Sequence, residues 1–126
     1  MRFMVMHKLD ENRPELWQPD EAFMARMGAF MGEANQAGVL LAGEGLRPSS
    51  VDAGRITVTG GKATVTDGPF AETKELIAGF ALLQVRDKAE AMHWAQKFTD
   101  IFIAADIDVE VDVRRVTEWE DLAPPA

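Results

Sequence analysis

Cysteine is absent from this chain and histidine occurs only twice. Without cysteine there is no disulfide, no thiolate nucleophile and no zinc site built on sulfur, so the sequence neither needs nor reveals an oxidising compartment. Basic residues are also scarce: 13 Lys and Arg stand against 21 Asp and Glu, for a formal charge of -8. Phosphate binding needs clustered cations, and the only adjacent basic pair is Arg114-Arg115, so a nucleic-acid partner is not expected. The apolar runs are far too short to span a bilayer, and Met1 to Lys8 alternates into charge without a cleavage site. These absences lead to the expectation of a cytoplasmic chain with no membrane partner. A length of 126 residues suits one domain, expected over 1–116 with a tail over 117–126.

What is present is a regular alternation of elements. Arg2 to Lys8 reads as a strand apolar at both parities, hence covered on both faces and central. Asp10 to Gln18 is a polar loop with one large aromatic, Trp17. Pro19 at a first helical position, with Asp20 and Glu21 beside the positive end of the dipole, opens a helix. Its apolar stripe is Phe23, Met24, Met27, Phe30, Met31 and Ala34, and Gly38 terminates it. Gly28 and Gly32, one turn apart, suggest close approach to a neighbouring element. Val39 to Gly43 is a second strand, after which Gly43-Glu44-Gly45 holds a carboxylate between two flexible residues, as ligand group or as a solvated turn.

Leu46 to Gly54 is loop, and neither Ser49 nor Ser50 lies in a nucleophile-elbow pattern. Arg55–Thr59 and Lys62–Thr66 alternate with period two around Gly60-Gly61, a hairpin signal. Asp67-Gly68-Pro69-Phe70 then turns the chain, Asp67 serving as turn former or as a chemical group. Ile77–Val85 is a third core strand, apolar on both sides. Asp87 followed by Glu90 caps a second helix with the buried stripe Ala91, Trp94, Ala95, Phe98 and Phe102, leaving His93 on the surface. Ile107–Arg114 alternates cleanly, as an edge strand does. Its carboxylates Asp108, Glu110 and Asp112 lie about seven ångströms apart along the strand, too wide for one ion, so no metal is expected. Trp119 is the expected anchor of the tail.

With the hairpin set aside the order is βαββαβ, an α+β, ferredoxin-like arrangement whose first and third strands are central. Right-handed crossovers put both helices on one face. The apolar residues left on the other face, among them Met4, Met6, Phe80 and Leu82, call for a homodimer that packs sheet against sheet, with a pocket between the sheets.

Gly43-Glu44-Gly45-Leu46-Arg47-Pro48, Gly60-Gly61-Lys62 and above all the block Thr66 to Phe80, with Asp67-Gly68-Pro69-Phe70-Ala71-Glu72-Thr73-Lys74-Glu75, resemble the YCII-related family in its DGPF-motif branch. The resemblance spans roughly Arg2 to Val116. It implies a dimeric α+β barrel and says little of activity: the wider family includes a dehydrochlorinase of aromatic breakdown, the fold is shared with muconolactone-isomerase-like enzymes, and some members resemble partners encoded beside alternative sigma factors. Shorter relatives carry a histidine near the start of the first helix, and Pro19-Asp20-Glu21-Ala22 has none here.

The candidate chemistry therefore centres on His7, which at its ordinary pKa moves protons near neutrality, with Asp67 or Glu44 to orient it. A packed or solvated histidine is the alternative. Arg47 and Lys74, with Glu72 and Phe70, are the candidate substrate contacts. No cofactor is expected. Two functions follow: a small-molecule-binding protein acting as a cofactor-free proton-transfer lyase or isomerase, or a non-catalytic regulatory or interaction module.

Overall fold

The structure, a computed structural model, describes residues 1–70 and 75–122. Four strands form one antiparallel sheet: β1 (Arg2–Asp10), β2 (Leu40–Gly45), β5 (Glu75–Gln84) and β6 (Glu110–Arg115), in the order β2-β5-β1-β6. The two strands that are apolar at both parities, β1 and β5, hold the centre. A separate two-stranded ribbon is made by β3 (Gly54–Thr59) and β4 (Lys62–Asp67). Its turn residues Gly60 and Gly61 have φ of 59° and 78°, as a tight two-residue hairpin requires. Helices α1 (Glu21–Gln36) and α2 (Lys88–Ala104) and a one-turn α3 (Trp119–Leu122) complete the mixed α+β chain. No helix among the described residues is long and apolar enough to cross a membrane.

Both long helices begin with an aspartate. Asp20 is the N-cap of α1, its carboxylate accepting the Phe23 N–H at 2.8 Å, so Pro19 lies just outside the helix and not at its first position. Asp87 accepts the Glu90 N–H at 2.9 Å, while the Glu90 carboxylate turns to Arg86, so only half of a capping box forms. From α2 come Ala91, Trp94, Ala95, Phe98, Ile101 and Phe102, all buried, and from α1 Phe23, Phe30 and Ala34. They close one core with Phe3, Val5 and Leu9 of β1 and Ala78 and Leu83 of β5. Edge-on aromatic pairs tie the helix layer together, Phe23 of α1 to Phe102 of α2 at 5.1 Å and Phe98 to Phe102 within α2 at 5.2 Å between centroids.

Successive residues of a strand face opposite ways, so Met4, Met6 and Lys8 lie on the side of β1 away from this core. There Lys8 Nζ sits 2.8 Å from Glu110 and 2.9 Å from Asp112. These bonds hold its ammonium above the usual lysine range, the Glu110 bond first and then that of Asp112. Two of the three carboxylates considered for a cation, Glu110 and Asp112, are thus engaged by a lysine. The ribbon is amphipathic, with Ile56 opposite Val65 and Val58 opposite Ala63. Its apolar side is bare: Ile56, Val58 and Val65 are 69%, 72% and 69% exposed.

Three expectations are corrected. Gly28 and Gly32 face open space, where an added Cβ meets nothing within 4 Å, so they serve no close approach. Trp119 is 80% exposed and anchors nothing. The tail is held instead by a two-pronged pair, Arg2 Nε to Glu118 Oε1 at 2.8 Å and the second Arg2 nitrogen to Oε2 at 3.0 Å, together with Arg115 to Asp121 at 3.2 Å. The polar loop after β1 is also not featureless: Pro14–Trp17 winds a 3-10 turn, and Trp17 Nε1 donates to the Asp10 carbonyl at 3.2 Å.

The glycines separate two kinds of position. Ala for Gly28 or Gly32 adds a helix former where there is room, and each substitution is expected to raise stability by about 0.5–1 kcal/mol. At Gly68 a Cβ would lie 1.8 Å from the Ser49 carbonyl oxygen, so Gly68→Ala is expected to cost about 3 kcal/mol, the obstacle being backbone. Urea unfolding of the three variants checks both signs, and a destabilised Gly28→Ala would restore the close-approach reading.

Candidate functional site

A cavity of about 370 Å³ opens on the helix side of the sheet. Its walls are His7 and Leu9 from β1, a methionine-rich flank of α1, the end of β2 with Leu46 and Arg47, and Phe102 at the back; Trp17 of the 3-10 turn joins them. The α1 stripe is therefore divided. Phe30 packs into the core and Phe23 lies between core and cavity, whereas Met24, Met27 and Met31 line the cavity.

Glycines and a bulge make the space. β1 and β5 pair His7 with Gly79 and Lys8 with Ile77, which leaves Ala78 as an extra residue in β5. A Cβ on Gly79 would stand 2.6 Å from His7 Cε1 and 2.9 Å from the Glu44 carbonyl oxygen. A Cβ on Gly43 would stand 2.6 Å from the Met31 methyl. The bulge also turns the Ala78 carbonyl to accept the Leu46 N–H at 2.8 Å, which carries the ladder one residue past β2 and fixes the Gly45-Leu46-Arg47 rim.

His7 lies on the inner wall with its ring 5.3 Å from Phe98 and 5.4 Å from Phe102, centroid to centroid. Among the described residues no side chain or backbone group hydrogen-bonds the ring. Burial alone lowers its pKa to about 4, so at neutral pH it is an uncharged imidazole with one donor and one acceptor.

Of the residues singled out in sequence, His7, Glu44 and Arg47 meet at this cavity. Glu44 belongs to β2 and not to a loop beyond it, and pairs with Phe80. Alternation therefore turns its carboxylate to the face opposite His7, leaving its peptide group near the imidazole. Asp67 is the exposed last residue of β4, paired with Gly54, and does not line the cavity. Phe70 lies under the Arg55 guanidinium, 4.0 Å from the ring centroid. Glu72 and Lys74 lie outside the described residues. The cavity itself lies between sheet and helices of one chain, on the face opposite the one expected to form a pocket with a second sheet.

Sequence reasoning missed Ser49, which is 4% exposed and links three segments. Its N–H donates to Glu11 Oε2 at 2.6 Å, its hydroxyl donates to Glu11 Oε1, and the hydroxyl oxygen accepts the Phe70 N–H at 2.9 Å. The Gly68 N–H donates to the Ala53 carbonyl at 3.0 Å. The turn at 67–70 is thus pinned to the loop that follows Arg47, and Gly68 is the glycine that lets the two backbones touch. No motif marks such a serine; the only signal was a glycine before a proline.

A family model for the YCII-related domain matches residues 1–120. The chain belongs to the YCII-related family. Similarity to a curated relative agrees: an uncharacterized protein of Rhizobium meliloti (strain 1021) is 31% identical over 102 residues, covering 79% of this chain and 82% of its own length. Neither the description of the YCII-related domain nor that of the relative names an activity, so the geometry of the cavity carries the functional reading.

The buried imidazole predicts an acid-side loss of stability. Unfolded His7 takes up a proton near pH 6.5, whereas in the folded chain it does so only near pH 4. Stability from this group is complete above pH 6.5 and is lost as pH falls towards 4, by roughly 3 kcal/mol in all. Urea titrations of the native protein and of His7→Gln across that window should differ by this slope, and parallel curves would show the ring to be solvated.

Proposed function

We propose that this YCII-related protein binds a small molecule in the 370 Å³ cavity and works as a homodimer. One observation carries the binding reading. An apolar, glycine-shaped cavity holds one uncharged imidazole with unused hydrogen-bonding capacity and one arginine at its mouth. Small-molecule sites combine a mostly apolar wall with a few polar groups that fix orientation, and their volumes start at about 300 Å³.

The same geometry favours binding over proton transfer. With its pKa near 4, His7 is a weak base at neutral pH, and no carboxylate hydrogen-bonds it among the described residues. A lyase or isomerase built on His7 with Asp67 or Glu44 would need those carboxylates on the imidazole's side of the sheet. The motif Asp67-Gly68-Pro69-Phe70 supports membership in the DGPF-motif branch, its role here being architectural through Gly68 and Ser49.

The strand order β2-β5-β1-β6 supports a ferredoxin-like protomer, and the sheet face turned away from α1 and α2 supports a dimeric α+β barrel. Met4, Met6, Phe80 and Leu82 lie on that face, with Ile77 42% exposed. Of the charges nearby, Lys8 bridges Glu110 and Asp112, which offsets one of the two negative charges there. A regulatory role is compatible with ligand binding without turnover.

Two measurements test the proposal. On titration with a metabolite-like fragment set, the methyl resonances of Met27 and Met31 are expected to shift while exposed Met92 stays still; a set that moves none of them removes the binding reading, and product formation would restore catalysis. Light scattering at micromolar concentration should give the dimer mass, with Leu82→Glu giving a folded monomer. A native chain that runs as a monomer would remove the dimer.

A further inference from the structure

The ligand's chemical class follows from where the cavity keeps its polarity, and this step rests on the reading of the cavity as a ligand site. Phe23, Met27, Met31 and Phe102 offer thioethers and aromatic edges, surfaces suited to a flat ring. The volume of about 370 Å³ is near the small end for such sites and fits one or two rings.

The polar groups are separated in depth. Arg47 is at the exposed mouth, in no ion pair among the described residues. Glu44, the other ionisable chain of that rim, is turned to the opposite face by strand alternation. His7 is on the inner wall, against Phe98 and Phe102, with no hydrogen bond to its ring among the described residues. We infer that the cavity takes a ring-bearing monocarboxylate whose far end carries an uncharged hydroxyl or carbonyl group. The carboxylate meets Arg47 at the mouth, the ring lies among the methionines and phenylalanines, and the uncharged group reaches His7.

The arrangement discriminates at both ends. A carboxylate at the mouth keeps part of its water and gains a guanidinium able to bind it with two parallel hydrogen bonds. A second carboxylate at the inner end would be stripped of water beside a neutral imidazole, which carries no charge to compensate it. Dicarboxylates are therefore rejected, and a neutral amide loses the contact at the mouth.

Calorimetric titration of the full chain at neutral pH with hydroxynaphthoate, hydroxynaphthamide and naphthalenedicarboxylate, and with para-hydroxybenzoate as the one-ring probe, tests this. The hydroxy acid is expected to bind about tenfold or more tightly than its amide and than the dicarboxylate. Arg47→Gln should erase the advantage of the acid over the amide without weakening the amide, and Arg114→Gln should change nothing. Equal binding of acid and amide, or an advantage that survives Arg47→Gln, overturns the ligand class while leaving the cavity a binding site. Failure of every probe to bind or to shift the Met27 and Met31 methyls overturns both.

Discussion

The helix-facing side of the sheet is short of side-chain volume at one end, and the character of the protein follows from that shortage. Elsewhere the core is filled by Phe3, Val5, Leu83, Trp94, Phe98 and Phe102, packed to the point where most are almost fully covered. At Gly43, Gly45 and Gly79 the strands bring no side chain, and His7 and Met31 lean into two of the places a methyl would occupy. Glycine inside a strand weakens it, as does a bulge, yet β2 and β5 carry both beside the cavity. Strands built for stability alone would carry alanine or valine there. A void too small for water forfeits packing on its walls, whereas one of this size, open at a polar rim, can admit a solute.

The electrostatics follow from the packing. His7 lies against two adjacent phenylalanine rings, and burial, not a neighbouring charge, keeps it neutral. The ionisable residues among those lining the cavity are His7, Glu44 and Arg47. Most of the cations near the sheet and termini are committed, Lys8 to Glu110 and Asp112, Arg2 to Glu118, Arg115 to Asp121. Arg47 stands apart from these pairs because the segment carrying it is fixed by backbone, through the Leu46 N–H on one side and the buried Ser49 on the other. An arginine whose backbone is held at both ends, with no ion pair to its guanidinium among the described residues, is organised to meet an incoming anion at little entropic cost.

Much of the fold was legible because period and capping act locally. The α2 stripe from Ala91 to Phe102 reads directly as burial, the Gly60-Gly61 turn as a hairpin, and the double-sided apolarity of β1 and β5 as central position. What could not be read was direction and partner. The α1 stripe looks uniform in sequence, and only the fold separates Phe30, which packs, from Met24 and Met27, which line a space. Glu44 and His7 look like an acid/base pair until the ladder register turns them to opposite faces. Asp67 drew attention for its charge, when the residue that shapes its turn is Gly68, through contact with a serine nineteen positions earlier that has no periodic signature. Tertiary contacts of that kind leave no trace in spacing.

The two faces of the sheet are chemically distinct and joined through single peptide steps. Along β1, Met6 and Lys8 face away from the helices while His7 between them faces in; along β5, Phe80 faces out and Gly79 in. Anything that covers the outer face acts on the same backbone that positions the imidazole and the glycine opposite it. A side chain moved by one rotamer on the outer face leaves the cavity untouched, because alternation separates the two sets of side chains. A shift in register or twist does not, because Gly79 leaves His7 no slack and Ala78 already absorbs an extra residue. The outer face can thus influence the cavity only through strand geometry, and the bulge at Ala78, whose carbonyl also holds the Leu46 rim, is where such a change would be felt first.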